Sequence, residues 1–277
     1  MVANTGSANN TAQASASTTR TVRFKIRRQD TPNGRPRWEE FDVEVENGAN
    51  VISCLQSIAE KPRTVEGTPS TPVAYDAACL EEVCGSCTML INGHVRQSCS
   101  ALVDDLAPKN GDVITLEPMS KFPCVRDLMV DRERMFHDLK RLRAWVPIDG
   151  VHHLGPGPEA TPEEQQKRYK LSECMSCGCC LEACPQYNLE PAAADWDGAF
   201  VGAAPISQAQ LFNTHETGEV LKGERLDVLM GRGGVNDCGN AQNCVKVCPK
   251  EIPLTESIAA IGRAVTVHAV KRFFTGK

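Results

Sequence analysis

Residues 21–28 alternate, with Val22, Phe24 and Ile26 on one side and Arg23, Lys25 and Arg27 on the other. A period of two predicts a half-buried strand. Residues 38–46 alternate again, and Asp30, Pro32, Asn33 and Gly34 between the segments mark a turn. The two segments are therefore expected to pair antiparallel. The period then changes: Ile52, Leu55 and Ile58 recur at helical spacing behind Asn50, which predicts a capped helix from Val51 to Glu60. Val113 to Leu116 reads as a strand that closes the first part of the chain. Pro118, Pro123 and Cys124 mark the exit from that part. Helices are expected beyond it over about 131–145, 163–171, 207–212, 219–230 and 252–274. Residues 147–162, crowded with Pro and Gly, read as loop, and the Ala-, Gly- and Asp-rich stretch 190–205 reads as a surface excursion. The expected class is α+β, with a sheet domain over 20–128, a helical domain over 129–277 and a disordered tail over 1–19.

Composition narrows the chemistry. The chain has 277 residues, a net charge of −5 and 14 cysteines. Lys and Arg are scattered without a basic block, so nucleic acid is a poor partner. No apolar run approaches the roughly 20 residues that cross a bilayer, and the best stretch, Ile258 to Val270, is interrupted by Arg263. Residues 1–19 lack a charged segment followed by an apolar one, and the first basic residue is Arg20. Neither a secretory signal nor a transit peptide is therefore expected, and a disulfide framework is disfavoured with it.

The cysteine spacing carries the argument. Cys174, Cys177, Cys180, Cys184 and Pro185 form C-x2-C-x2-C-x3-C-P, the bacterial ferredoxin run, whose fourth cysteine serves a different cluster from the first three. Cys238, Cys244, Cys248 and Pro249 repeat the frame with Ala241 in place of the second cysteine. Crossing the fourth cysteines assigns Cys174, Cys177, Cys180 and Cys248 to a [4Fe–4S] cluster. Cys184, Cys238 and Cys244 are left as three ligands, with a methyl at the vacant corner, for [3Fe–4S]. Upstream, Cys79, Cys84, Cys87 and Cys99 match C-x4-C-x2-C…C, the plant-type [2Fe–2S] spacing. There Gly85 allows close backbone approach, and loop amides can point at sulfur. Asn92-Gly93 predicts the hairpin that returns Cys99 to the other three. Zinc is the competing reading of C-x2-C pairs, but a zinc site usually combines two separated pairs rather than three cysteines at one spacing.

Three cysteines remain. Cys54 and Cys124 read as small buried hydrophobes; Cys179 adjoins a ligand and could replace Cys180, which keeps the run in frame. Glu81 and Glu82 read either as a solvated turn or as charges that lower the potential of the neighbouring cluster. None of the six histidines sits at a ligand position, which excludes a Rieske centre.

The constellation over residues 20–275 closely resembles the iron–sulfur subunit of succinate dehydrogenase and fumarate reductase. The resemblance extends to Y-D-A-A-C-L-E-E-V-C-G-S-C-T-M, F-P-C-V-R-D-L-M-V-D and D-C-G-N-A-Q-N-C. It implies a β-grasp ferredoxin domain followed by a bacterial-ferredoxin-like helical domain. It also implies an FAD-bearing flavoprotein partner, a cytochrome b membrane anchor and a quinone as electron acceptor. The chain would be peripheral, at the cytoplasmic face of the bacterial plasma membrane. Ubiquinone-linked members carry Trp after the first Cys-Pro and His after the first cysteine of the last run. Here Gln186, Tyr187, Asn188 and Gly239 stand in those places, so that contact does not carry over. The overall likeness is to the dihaem-anchor subgroup, often menaquinone-linked, and Pro185 and Ala241 are placed near the quinone. The alternatives are the same subunit reducing fumarate, the iron–sulfur subunit of another flavin oxidoreductase, and a zinc-bound scaffold. The chain offers no catalytic acid, base or nucleophile.

Overall fold

The computed structural model describes residues 19–147, 160–188 and 193–275. The expectations for the tail (1–18), for most of the 147–162 loop (148–159) and for 189–192 lie outside the described residues. Among the described residues seven strands and nine α-helices follow in order: β1 (Arg20–Arg28), β2 (Arg37–Val45), α1 (Val51–Glu60), β3 (Thr88–Ile91), β4 (His94–Gln97), α2 (Val103–Leu106), β5 (Val113–Glu117), β6 (Cys124–Arg126), β7 (Met129–Val130), α3 (Glu133–Arg141), α4 (Pro162–Ser172), α5 (Cys179–Glu182), α6 (Ala203–Thr214), α7 (Lys222–Met230), α8 (Asn243–Lys246) and α9 (Leu254–Thr275).

The first half is a five-stranded mixed sheet in the order β2-β1-β5-β3-β4. β1 pairs antiparallel with β2, setting Val22 opposite Val43 and Phe24 opposite Phe41. β5 lies parallel to β1 and antiparallel to β3. One face carries Val22, Phe24, Ile26, Phe41, Val43, Ile114 and Leu116 into a core shared with Ile52, Leu55 and Ile58 of α1. Each such side chain contributes roughly 1.5–3 kcal/mol by burial. Asn50 and Ser53 cap α1 reciprocally, which stops the preceding strand direction and starts the helix at Val51.

The same parity continues to Arg28, which is fully buried rather than solvated with the other basic residues. Its guanidinium donates to Asp127 (3.0 and 3.2 Å), Glu39 (2.6 Å), Ser70 and Thr71. Position within the alternation overrides charge because every polar atom finds a partner.

The second half is rich in helix and has two cores. One joins Met119, Phe122, Met135, Leu171, Leu181 and Tyr187 and reaches the sheet through Val95. The other packs α6, α7 and α9 around Ile206, Leu229, Ile261 and Val265.

Several expectations are corrected here. The helix expected over 131–145 spans only Glu133–Arg141, because Arg143 adopts a left-handed φ of 47° and the chain turns back. Residues 200–205 are not a surface excursion. Phe200, Val201, Ala203 and Ala204 are buried, and α6 begins at Ala203. Small residues there allow tight packing: a Cβ on Gly202 would lie 2.2 Å from Leu181. The helix expected over 219–230 divides into a 3-10 turn at Gly218–Leu221 and α7.

Candidate iron–sulfur sites

The cysteines of the C-x4-C-x2-C…C motif are neighbours, Cys79 beside Cys84 and Cys99 near Cys87 and Cys79. Leu80, Glu82 and Gly85 take left-handed φ values of 61°, 54° and 70°, which coil the loop and turn its amides inward. The N–H groups of Glu81, Val83 and Cys84 donate to Cys79 Sγ at 3.4, 3.3 and 3.3 Å. Ser86 N–H donates to Cys84 Sγ at 3.4 Å. Hydrogen bonds from the Ser86 side chain and from backbone N–H groups pull Cys84 down to about 6. The hairpin forms as expected, with Asn92 and Gly93 both at positive φ. Beyond it Ser98 bonds back to Cys87 O through N–H (3.1 Å) and Oγ (2.8 Å). Burial, followed by the nearness of Cys87 and Cys79, pushes Cys99 up to about 11.

In the helical half the cysteines group across the two runs. Cys180 is raised well above the ordinary thiol value by burial, then by the charges of Cys177, Cys174, Cys248 and Cys244. Cys174 is raised by burial and by Cys177 and Cys248. Cys248 is thus close to Cys174 and Cys180, and the N–H of Ile252 donates to its Sγ at 3.5 Å. Cys244 is raised by burial, then by Cys184 and Cys238. Cys184, Cys238 and Cys244 line one cavity together with Phe200 and Ile258. Pro185 and Ala241 line that cavity too, both exposed. Asn243 Nδ2 donates to Ala183 O at 3.1 Å and ties the runs together.

The three leftover cysteines differ. Cys54 belongs to the sheet core, and burial lifts it to about 11. Cys124 is half-buried, with its Sγ 3.5 Å from Asp127 O. Cys179 is fully buried, raised by its hydrogen bond to Cys177 and by burial, and it accepts from Gln97 Nε2 at 3.2 Å. Of the residues that replace the ubiquinone-type contacts, Gln186 and Gly239 rim the cavity, with Gln186 Nε2 2.6 Å from where a Gly239 Cβ would stand. Tyr187 instead points into the core, under the Arg134 guanidinium at 4.0 Å from its ring centre.

All 14 cysteines are free thiols. Among the described residues no three His, Cys, Asp or Glu side chains converge on a point as around a single metal ion. The donor chemistry suits clusters: thiols arranged around a space, some receiving several amide N–H bonds, which stabilise thiolate and added negative charge. The residues fit such groups.

Residues 23–137 match the 2Fe-2S iron-sulfur cluster binding domain family, and residues 170–252 match the 4Fe-4S dicluster domain family. The succinate dehydrogenase iron-sulfur subunit of Bacillus subtilis strain 168 is 52% identical over 255 residues, covering 92% of this chain and 96% of the relative. This chain belongs to the iron–sulfur subunit family of succinate dehydrogenase and fumarate reductase. Within that family the fumarate reductase iron-sulfur subunit of Wolinella succinogenes is 29% identical over 231 residues, covering 83% of this chain and 90% of the relative. A chain of the Mycobacterium smegmatis Sdh1 complex in the apo form shares the fold, with a TM-score of 0.74 at 21% identity, covering 90% of this chain and 96% of that one.

The family matches span the stretches in which the spacing places its candidate cysteines. They leave without comment two side chains that spacing passed over. Arg132 donates to Gly85 O (2.8 Å), Ser86 O (2.7 Å) and Cys177 O (3.5 Å). Gln97 joins Thr88 Oγ1 (3.1 Å) to Cys179. Neither lies in a cysteine motif, and only the contact between the halves reveals them.

Proposed function

We propose that this chain is the electron-transfer subunit of a succinate dehydrogenase, with its thiols arranged as three successive stations. Cys79, Cys84, Cys87 and Cys99 hold [2Fe–2S] in a β-grasp domain over 20–128. Cys174, Cys177, Cys180 and Cys248 hold [4Fe–4S], and Cys184, Cys238 and Cys244 hold [3Fe–4S], in a helical domain over 129–277. Each cluster, when bound, accepts and returns one electron. The loop amides around Cys79 favour the added charge, and burial of Cys87, Cys99 and Cys180 keeps water away. No proton donor is needed along this path.

The partners follow from the same reading. A flavoprotein subunit with FAD supplies electrons, and a cytochrome b anchor presents a quinone, menaquinone in this subgroup. The chain sits peripherally on the cytoplasmic face of the plasma membrane. No described helix is long and apolar enough to cross a bilayer. The exposed rim of the third set, with Pro185 and Ala241, suits a quinone-facing surface.

What supports this reading is that Cys184, Cys238 and Cys244 line one cavity while Cys248 lies near Cys174 and Cys180, as a crossing of the fourth cysteines requires. The test is iron and acid-labile sulfide analysis of the purified complex, with EPR of its oxidised and reduced states. Nine iron atoms are expected, about two, four and three by cluster type, with a three-iron signal on oxidation. Ala241→Cys should convert that signal toward a four-iron cluster. A colourless, iron-free protein, or a wild type with four irons at the third set, sinks the assignment.

A further inference from the structure

The sheet half and the helical half meet where the first two cysteine sets come closest. Gly85, inside the C-x4-C-x2-C loop, has a φ of 70°, and a Cβ there would lie 2.6 Å from Cys177 Cβ and 2.7 Å from Cys177 Cα. The loop backbone therefore rests directly on the bacterial-ferredoxin run. Arg132, just ahead of α3, reaches across this junction. Its Nη1 donates to Gly85 O and Cys177 O, one from each loop, while Nη2 donates to Ser86 O. The negative groups facing the guanidinium are Asp76 and the thiols Cys177, Cys179 and Cys87, drawn from both sets. An arginine keeps its charge even when largely buried. A second bridge runs alongside: Thr88 Oγ1 donates to Gly85 O at 2.8 Å, and Gln97 Nε2 donates to both Thr88 Oγ1 and Cys179 Sγ.

We propose that Arg132 is a positioning residue for electron transfer: it clamps the Cys84–Cys87 loop onto Cys177 and fixes one positive charge between the first two cluster sites. This rests on the cluster assignment above. One electron leaves the Cys79, Cys84, Cys87 and Cys99 set and enters the Cys174, Cys177, Cys180 and Cys248 set, and no proton moves with it. Each reduced site carries added negative charge, and two such charges side by side oppose one another. A half-buried cation between them, whose hydrogen bonds go to carbonyls rather than to the nearby Asp76 carboxylate, lowers that opposition. The guanidinium's planar fork reaches both loops at once, which a single ammonium cannot do.

The test uses the whole complex carrying Arg132→Gln or Arg132→Lys. Iron content and EPR signals establish loading first; a wild type without clusters defeats the underlying assignment and not the role of Arg132 alone. Midpoint potentials are then titrated, and the spin-relaxation enhancement between the first two reduced clusters is measured. With Gln, both midpoints should shift to more negative values while that of the third set stays put. With Lys, the charge should restore the midpoints but the relaxation enhancement should stay weakened. Unchanged midpoints and enhancement in a loaded Gln variant overturn the proposal. If Gln prevents loading, the Lys variant decides. A Lys variant that also loads no iron in the first two sets makes Arg132 a folding residue, and the proposal falls.

Discussion

In the sheet half, the four thiols lie within residues 79–99 of one loop and one hairpin, and the amides that approach Cys79 come from that same loop. In the helical half, the proposed sets join Cys248 to Cys174, Cys177 and Cys180, and Cys184 to Cys238 and Cys244, so each would span more than 50 residues of chain (180 to 248, and 184 to 238). The sheet half has a continuous apolar core under five paired strands. The ligand-bearing elements α5 and α8 are four residues each, too short to be stable alone. On the proposed assignment, the sheet half would present its ligands from a scaffold with its own apolar core, and cross-linking through iron would help to hold the helical half together.

The strongest way to break that contrast is Cys248→Ser. It should remove iron from the second set and loosen both runs, with a loss of stability on the order of 10 kcal/mol by analogy with structural metal sites. Hydrogen exchange would show lost protection in α5, α8 and their surroundings while β1, β2 and β5 stay protected. Uniform loss across both halves would show the contrast to be wrong. The converse experiment lies in the sheet. Asp127→Ala leaves Arg28 buried without its bidentate partner and also strips acceptors from the N–H groups of Gln29 and Ala74. The expected destabilisation is about 3–5 kcal/mol, read by thermal unfolding, with the helical clusters retained.

Asp138 sharpens the comparison on the helical side. It is fully buried on α3, neither carboxylate oxygen accepts a hydrogen bond, and Arg141 remains 3.8 Å away. Burial raises its pKa to about 7, against the lowering influence of Arg134 and Arg141. A raised carboxyl binds a proton on folding between its unfolded and folded values. Its stabilisation is therefore complete below the unfolded value of 3.8 and is lost as pH rises through about 7. Asp138→Asn should be more stable than wild type at pH 8, by up to roughly 4 kcal/mol, and nearly equal near pH 4. Denaturant melts at both pH values check this; a difference that does not change with pH refutes it. The smallest effect is expected at Glu81 and Glu82. Glu82 accepts from Ser100 Oγ at 2.6 Å and so is not merely solvated. Changing both to Gln should raise the [2Fe–2S] midpoint slightly while leaving stability within about 0.5 kcal/mol. An unchanged midpoint would make the two charges irrelevant to the cluster.

Legibility in the sequence followed the same division. β1, β2 and α1 appeared within a residue of their expected ends, because strict alternation and an Asn50 cap are local signals. Residues 200–205 were misread because small residues resemble loop by composition, whereas here they are the packing surface for Leu181. Arg28 could have been found from parity alone, since it continues the positions of Val22, Phe24 and Ile26.

The amino-acid order nominated eleven candidate ligands and a division into sets, because cluster ligation imposes short, rigid separations that survive as spacing. It could not show that Gly85 lies against Cys177, that Arg132 joins the two loops, or that Asp138 is enclosed without a hydrogen-bond donor among the described residues. Those facts arise where separately folded segments press together. Contact there depends on shape and exclusion of water over long sequence distances, which no local period records.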